Sequence, residues 1–237
     1  MHRLLDRDIC RAGAPSPAVL KHLKVLRPKE GEEFEIFDGK GNSKICTYHN
    51  SSLVIRSSSL QTAPRPKDLT LFACITKGSR WDWTIEKAVE LGVTRIVPVI
   101  SERTIVRIPP AERAAKRERW LRIAEAAAEQ SDAKYLPEIL PATDFAAAVQ
   151  LAAQCHCLVG ALTEKTLQIA AAVGREESGT PPNAIFVGPE GDFTPAELAS
   201  LCEVATPVSF GSTILRAETA AIYGLSVLKS NLDVQAS

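Results

Sequence analysis

The 237-residue sequence predicts an α/β protein with a mostly parallel sheet, preceded by a small β-barrel. From Leu69 onwards, apolar runs typical of buried strands alternate with helical patterns, which is the arrangement of βαβ units. Between Gly31 and Arg56, short runs of alternating apolar and polar residues are joined by glycine-rich turns, which favours a barrel. Residues 61–67 contain two prolines and little apolar content, so they form the best linker. We therefore expect one domain over 1–66 and a second over 67–237.

The first domain is predicted to begin with a helix over 16–27, with Ser16 as its N-cap and Pro17 as its first residue. One face of this helix is apolar. The other face is crowded with basic groups that could grip phosphates or could equally be plain solvated surface: Lys21, His22, Lys24 and Arg27. The alternation around Phe34 and Ile36 and around 44–48 then predicts the strands of the barrel.

The charge of the chain is distributed unevenly although its net value is zero. The first 67 residues carry twelve Lys and Arg against seven Asp and Glu, a net charge of +5, which leaves −5 for the remainder. A basic first domain suits a polyanionic partner, while an ordinary solvated surface remains the alternative interpretation.

The second domain alternates predicted strands and helices. A continuous apolar strand over 69–75 is typical of a parallel sheet covered on both faces. It is followed by a helix that starts at a capping box of Ser79 and Asp82 and stops at Gly92. Further strands are predicted over 95–100, where Pro98 indicates an edge position or an irregularity, and over 157–160. A long helix is predicted over 111–130.

The stretch from Ala184 to Leu228 contains the candidate site. A buried strand over 184–187 ends at Gly188-Pro189, and Thr194, Pro195 and Glu197 then form a capping box for a helix. A second strand over 207–210 ends at Gly211 and leads into a helix over 217–228. Ligands of open α/β sheets bind outside the carboxyl ends of the strands. The pattern predicts a site walled by backbone that carries the Glu190 carboxylate and an Arg216/Glu218 pair, although two ordinary strand-to-helix turns would give the same spacing.

Several classes of site and location are not supported. The chain has no P-loop, no GxGxxG fingerprint and no GxSxG nucleophile elbow. The six cysteines form no CxxC pair, and Cys155-His156-Cys157 has no second ligand cluster, so we expect no metal. There is no apolar run of about 18 residues and no apolar signal core at the N-terminus, so we expect no membrane span and a cytoplasmic location.

Two C-terminal motifs, GPEGDFTPAEL (188–198) and FGSTILRAETAA (210–221), resemble the paired signature of the bacterial 16S rRNA (uracil-N3)-methyltransferases, the RsmE family of the SPOUT superfamily. The runs 77–92, 99–103 and 118–131 are similar to that family in the same order, as are 22–27 and 37–42 in the N-terminal part. The resemblance covers nearly the whole chain.

The resemblance implies a trefoil-knotted SPOUT methyltransferase domain preceded by a PUA-like RNA-binding barrel, and a homodimer. It implies transfer of a methyl group from S-adenosyl-L-methionine to N3 of a uridine of 16S rRNA, U1498 in the family, within the small ribosomal subunit. Arg216 is the expected catalytic cation, oriented by Glu218; Glu218 as general base is the alternative. Arg103 joins the basic helix residues as an RNA contact. The expected cofactor-binding residues are Gly160, Ala161, Gly188, Pro189, Glu190, Gly191, Phe210, Gly211, Ile214, Leu215, Arg216 and Thr219.

The sequence departs from the family pattern at two places. Asp192 stands where the family usually has Gly, and Asp132-Ala133-Lys134 stands where it usually has an Arg, so Lys134 is a displaced replacement for that charge. Two other functions stay open at this point. One is a non-catalytic RNA-binding protein of the same fold, and the other is a ribose 2′-O-methyltransferase.

Overall fold

The computed structural model describes residues 1–9, 14–56, 60–161, 166–174 and 182–234. The chain forms two compact units, one made of Met1–Pro66 with Glu125–Leu136 and the other of Lys67–Ala124 with Pro137–Ser237. The units divide after residue 66, but twelve residues from the middle of the chain, 125–136, belong to the first unit rather than to the second.

The described residues of the first unit include a five-stranded sheet and the helix α1 (Pro17–Leu26). The strands are β1 (His2–Leu5), β2 (Glu33–Phe37), β3 (Asn42–His49), β4 (Ser52–Ile55) and β5 (Gln61–Thr62). Their order is β1-β2-β3-β4, with β5 also paired to β3; β1 and β2 are parallel and the other pairs antiparallel. A barrel would require its first and last strands to pair. Within the described residues no pairing joins β1 to β4, so the strands form an open sheet there.

Helix α1 follows the predicted bounds closely. Ser16 is its N-cap, although the Ser16 side chain makes no capping hydrogen bond, and Arg27 ends it in the left-handed region at φ 49°. Val19 and Leu23 are buried and pack with strand residues such as Phe34 and Ile36. The helix is therefore held by its apolar stripe, and its basic residues are left facing outward.

A buried charge cluster explains why 125–136 belongs to the first unit. Arg3 Nε lies 2.8 Å from Glu35 Oε2 and 2.9 Å from Asp132 Oδ1, and its guanidinium donates to the carbonyl of Ala128. Lys134 Nζ lies 2.8 Å from Glu35 Oε1. Since a buried charge needs partners, these pairs fix this segment against strands β1 and β2. Lys134, the residue that replaces the family's Arg, thus serves an internal contact.

The second unit is built on an eight-stranded sheet in which every pair is parallel. The strand order is β11-β13-β10-β12-β6-β7-β8, with β9 also paired to β7. The strands are β6 (Thr70–Cys74), β7 (Arg95–Ile100), β8 (Glu138–Ile139), β9 (Thr143–Asp144), β10 (Cys157–Gly160), β11 (Leu167–Gln168), β12 (Ala184–Val187) and β13 (Ala205–Ser209). The predicted parallel sheet is confirmed.

The helices of the second unit lie along the faces of this sheet. They are α2 (Ser79–Glu90), α3 (Arg113–Ser131, whose C-terminal part belongs to the first unit), α4 (Phe145–Ala152), α5 (Ile169–Val173), α6 (Pro195–Cys202) and α7 (Ala217–Val234), with a 3₁₀ turn at Pro110–Glu112. Helix α7 packs on β12 and β6. A Cβ at Gly224 would lie 2.8 Å from Ile185, so glycine is needed there for close helix-to-sheet packing. Phe72 and Phe186 belong to a core cluster that also contains Phe193, and their rings stack with centroids 5.2 Å apart.

One local prediction for this unit needs correction, and another is confirmed in one of its two alternatives. The N-cap of α2 is Gly78 rather than Ser79, and it makes no side-chain capping bond; Asp82 instead pairs with Arg119. Pro98 was predicted to mark an edge position or an irregularity, and the structure shows the irregularity. It lies in β7 between the residues that pair with β8 (95–96) and those that pair with β9 (99–100), so it occupies a gap in the ladder, where a missing N–H costs nothing.

Candidate functional site

A cavity of about 280 Å³ opens at the carboxyl ends of β10, β12 and β13. Because these three parallel strands are adjacent, the loops that follow them meet at one edge of the sheet. Its walls are Gly160, Ala161, Val187, Gly188, Pro189, Glu190, Asp192, Phe210, Gly211, Thr213, Ile214, Leu215, Arg216, Ala217 and Ala220. We call this cavity the strand-end pocket.

The strand-end pocket contains every cofactor-binding residue predicted from the sequence except Gly191 and Thr219. The residues that sequence reasoning missed are Val187, Asp192, Thr213, Ala217 and Ala220. Helical spacing would have found part of this set, since Ala217 and Ala220 are three residues apart and share one face of α7, which Thr219 does not. Asp192 has a φ of 60°, a turn conformation that Asp tolerates better than most residues.

Glycines at the strand ends have two different roles. A Cβ at Gly160 would overlap the ring of Phe210, and a Cβ at Gly188 would lie 3.0 Å from the ring of Phe193. These glycines therefore make room for aromatic side chains of the protein itself. Gly211 has a φ of +123°, and a Cβ there would meet nothing within 4 Å, so its backbone faces open space beside the pocket. A substitution at Gly188 would test packing more than ligand binding.

The loop 188–194 is fixed by two side chains. The predicted capping box of α6 is confirmed, and the same Glu197 carboxylate accepts a 2.8 Å hydrogen bond from the backbone N–H of Glu102. Arg103 donates to the carbonyls of Gly191 at 3.0 Å and Phe193 at 3.4 Å. Arg103 thus holds the pocket loop through its Nη1 nitrogen. The residue is exposed, and its predicted contact with RNA stays a prediction.

The expected pairing of Arg216 with Glu218 is absent from the described part of the chain. Arg216 is exposed and has no ion pair there, whereas Glu218 is only 9% exposed. Side chains two residues apart at a helix start point to different sides, which separates these two. Among the described residues, the cation nearest to Glu218 is Arg80, with Nε 4.0 Å from Oε1, and Glu218 Oε2 is buried with no hydrogen-bond partner in that part of the chain.

Arg80 is a charged residue of the site that sequence reasoning did not single out. It is the second residue of α2, and its Nη1 lies 3.4 Å from Oε1 of Glu190 on the pocket wall. Arg80 therefore stands between the carboxylates of Glu190 and Glu218. The sequence did contain a signal for Arg80, because it lies just after the end of the strand predicted over 69–75 and within the run 77–92 that resembles the family.

The basic residues predicted to bind RNA on α1 are all exposed: Lys21, His22, Lys24 and Arg27. None of them forms an ion pair with a described residue. This leaves their positive charge available to an anionic partner.

The remaining ionisable groups give no other site. Among the described residues, no group of three or more His, Cys, Asp or Glu is arranged to hold a metal ion. Burial raises the pKa of the Cys46 and Cys74 thiols to about 11, so neither is ionised at neutral pH. Cys10 lies outside the described residues. Within them, no helix combines the length and apolar character needed to cross a bilayer.

Comparison with known proteins agrees with this geometry. The profile of the family described as RNA methyltransferase domain matches residues 63–229. Ribosomal RNA small subunit methyltransferase E of Mycobacterium bovis is 30% identical over 230 residues, which cover 90% of this chain and 85% of that protein. The protein of the same name from Bacillus subtilis is 29% identical over 218 residues, covering 87% and 84%.

A solved structure gives the same result. The crystal structure of ribosomal RNA small subunit methyltransferase E from Neisseria gonorrhoeae, bound to S-adenosyl methionine, is 28% identical, has a TM-score of 0.81 and covers 97% of both chains. Since the family profile covers most of the chain and a relative at 30% identity spans nearly all of it, the chain belongs to the ribosomal RNA small subunit methyltransferase E family.

Proposed function

We propose that this protein transfers the methyl group of S-adenosyl-L-methionine to N3 of a uridine in 16S rRNA, U1498 by family, in the small ribosomal subunit. The observation that carries the proposal is the strand-end pocket, most of whose lining residues lie in the two motifs that resemble this family. The relative from Neisseria gonorrhoeae, which binds S-adenosyl methionine, supports the same cofactor here.

The pocket residues fit that cofactor. Apolar side chains such as Ala161, Leu215 and Ala220 suit the adenine ring and the methionine chain. Glu190 provides a carboxylate for hydroxyl or cationic groups, and the open backbone at Gly211 allows close approach. The cofactor supplies an activated methyl group, so the protein's main task is to position the two reactants.

Arg216 is the proposed catalytic cation. Uracil N3 attacks the methyl carbon while the bond from that carbon to sulfur breaks, and the N3 proton must leave. The negative charge that develops on the uracil spreads to its carbonyl oxygens, where a guanidinium stabilises it. Arg216 lines the pocket, is exposed and has no ion pair with a described residue, so its donors are available. The alternative role for Glu218 is that of the general base that removes the N3 proton.

The proposal also includes a PUA-like barrel, a trefoil knot, a homodimer and a cytoplasmic location. We propose that the first unit is a PUA-like RNA-binding barrel, and its four exposed basic residues on α1 support an RNA-binding role. The trefoil knot is supported by the passage of the chain from β11 at the sheet edge to β12 in the centre and back to β13. A homodimer is supported by Ile214, which is 82% exposed beside the pocket. A cytoplasmic location follows from the substrate.

The deciding experiment is methyl transfer to isolated small ribosomal subunits that lack the modification, with isotopically labelled S-adenosylmethionine and a nucleoside digest. N3-methyluridine is the expected product. A 2′-O-methyl nucleoside would favour the ribose methyltransferase instead. No product, together with no cofactor binding in calorimetry, would indicate the non-catalytic RNA-binding protein.

A further inference from the structure

Arg80 lies beside the strand-end pocket, at the start of helix α2, none of whose residues lines the pocket. Helix α2 follows β6, which pairs with β12 through contacts such as Ala73 with Val187. The loops after these two strands are therefore neighbours, and Arg80 meets Glu190 on the pocket wall. The Arg80 side chain is 47% exposed, so an incoming substrate can reach it.

The contacts of Arg80 are unusually loose for an ion pair. Its nitrogens lie 3.4 Å from Glu190 and 4.0 Å from Glu218, although a guanidinium carries five donors. The pair between Arg119 of α3 and Asp82 of α2 shows the contrast, because there two guanidinium nitrogens each meet one carboxylate oxygen, one of them at 2.8 Å. Arg80 is thus held between two carboxylates by charge, while most of its donors engage none of the described residues.

Glu218 supports the same interpretation. It is nine-tenths buried, and its Oε2 has no hydrogen-bond partner among the described residues, which is rare for a buried carboxylate and calls for an explanation. Catalytic hydrogen bonds are often long before the substrate arrives and tighten in the complex. A small movement of Arg80 towards Glu218 would complete this contact.

The proposed chemistry needs a second cation. When N3 of uracil loses its proton, negative charge is shared by O2 and O4, which lie on opposite sides of N3. A single guanidinium can engage only one of these oxygens closely. Arg216, on the loop before α7, provides one cation from the pocket wall, and Arg80, at the start of α2, provides a second one from beside Glu190.

We infer that Arg80 is a second catalytic residue, which donates to one uracil carbonyl oxygen while Arg216 donates to the other, and that Glu190 and Glu218 position it. This inference rests on the proposed N3 methylation. In the balanced step, the N3 proton goes to solvent or a base, the N3 electron pair forms the bond to the methyl carbon, and the sulfonium leaves as a neutral thioether.

The test compares Arg80→Ala and Arg80→Lys with Arg119→Ala, a control that removes an arginine of similar exposure on α3 whose partner, Asp82, lies on the same helix as Arg80. The methylation rate of each variant is measured on two RNAs, one with uridine and one with 5-fluorouridine at the target position. Fluorine makes the N3 proton more acidic, so the anion needs less stabilisation from the protein. With uridine, Arg80→Ala should lower kcat about a hundredfold, the scale of removing one donor to a developing oxyanion. With 5-fluorouridine the loss should shrink to about tenfold or less.

The controls separate this role from a structural one. Arg80→Lys keeps the charge without the planar fork, so it should retain part of the rate, and Arg119→Ala should match the wild type. Calorimetry should give an unchanged Kd for S-adenosylmethionine in all three variants. An equal loss on both RNAs, or a loss explained by cofactor Kd, overturns the inference. If the wild-type protein makes no N3-methyluridine, the proposed function itself fails and the inference with it.

Discussion

Lys134 Nζ lies 2.8 Å from Oε1 of Glu35, whose side chain is only 3% exposed. Burial by itself raises the pKa of Glu35, but hydrogen bonds from Lys134, Ser43 and Arg3 outweigh burial and hold the pKa below its ordinary value. This pair joins β2 to the segment that follows α3 within the first unit. The stability of that unit therefore depends on the ionised form of one buried carboxylate.

Acid should destabilise the first unit through Glu35. Because its pKa is lowered on folding, its contribution is fully present above the unfolded value near 4.5 and is lost as the pH falls through the lower folded value. Glu35→Gln should cost about 2 kcal/mol at pH 7, since it removes the buried carboxylate that accepts from Arg3 and Lys134 and leaves them only the exposed carboxylate of Asp132. It should also flatten the dependence of stability on pH below about 5.

Urea unfolding at a series of pH values between 7 and 3 measures both effects. Glu138→Gln is the matched control, because Glu138 pairs with Arg95 at an exposed site and should change stability by less than about 1 kcal/mol. Parallel stability curves for Glu35→Gln and the wild type would contradict this account.

A larger side chain at Ala217 should block the strand-end pocket. Ala217 lines the pocket, whereas Thr219 is exposed and lies outside its walls. Ala217→Leu should weaken S-adenosylmethionine binding by about tenfold or more, because overpacking a filled site costs about 1–3 kcal/mol. Thr219→Leu should leave the affinity unchanged. Calorimetry decides between them, and equal affinities for the two variants would remove the pocket assignment.

Loss of Arg216 should affect chemistry and spare RNA affinity. Arg216→Ala should reduce turnover by about a hundredfold, and Arg216→Lys should recover only part of it. Single-turnover kinetics with a filter-binding measurement of RNA affinity separate the two quantities. Wild-type turnover in Arg216→Ala, or a defect confined to RNA affinity, would rule out the catalytic role.

The basic face of α1 should determine the salt dependence of RNA binding. Replacing Lys21, Lys24 and Arg27 together by Ala should weaken binding, and each lost phosphate contact should lower the slope of log K against log salt by about 0.9 on duplex RNA and about 0.7 on single strands. Cofactor affinity should stay constant. Lys87→Ala with Lys229→Ala is the control, since both lysines are already paired with carboxylates. An unchanged slope in the α1 variant would exclude this face from the RNA interface.

The sequence by itself determined the local elements of the second unit and most of the pocket wall. Strands β7, β10 and β12 have the predicted bounds, and the capping box at Thr194 is present as expected. These features depend on residues close together in the chain, on apolar runs, glycine stops and capping side chains. The convergence of strand ends was also predictable, because ligand sites of parallel sheets form at that edge.

Only the tertiary structure decided the partners of charged side chains and the membership of the first unit. Glu218 faces Arg80 rather than Arg216, and Lys134 reaches back to Glu35. Each of these contacts joins segments far apart in the chain, where neither periodicity nor capping carries a signal. The direction of a side chain at a helix start depends on how that helix packs on the sheet, and the burial that makes a charge seek a distant partner exists only after folding.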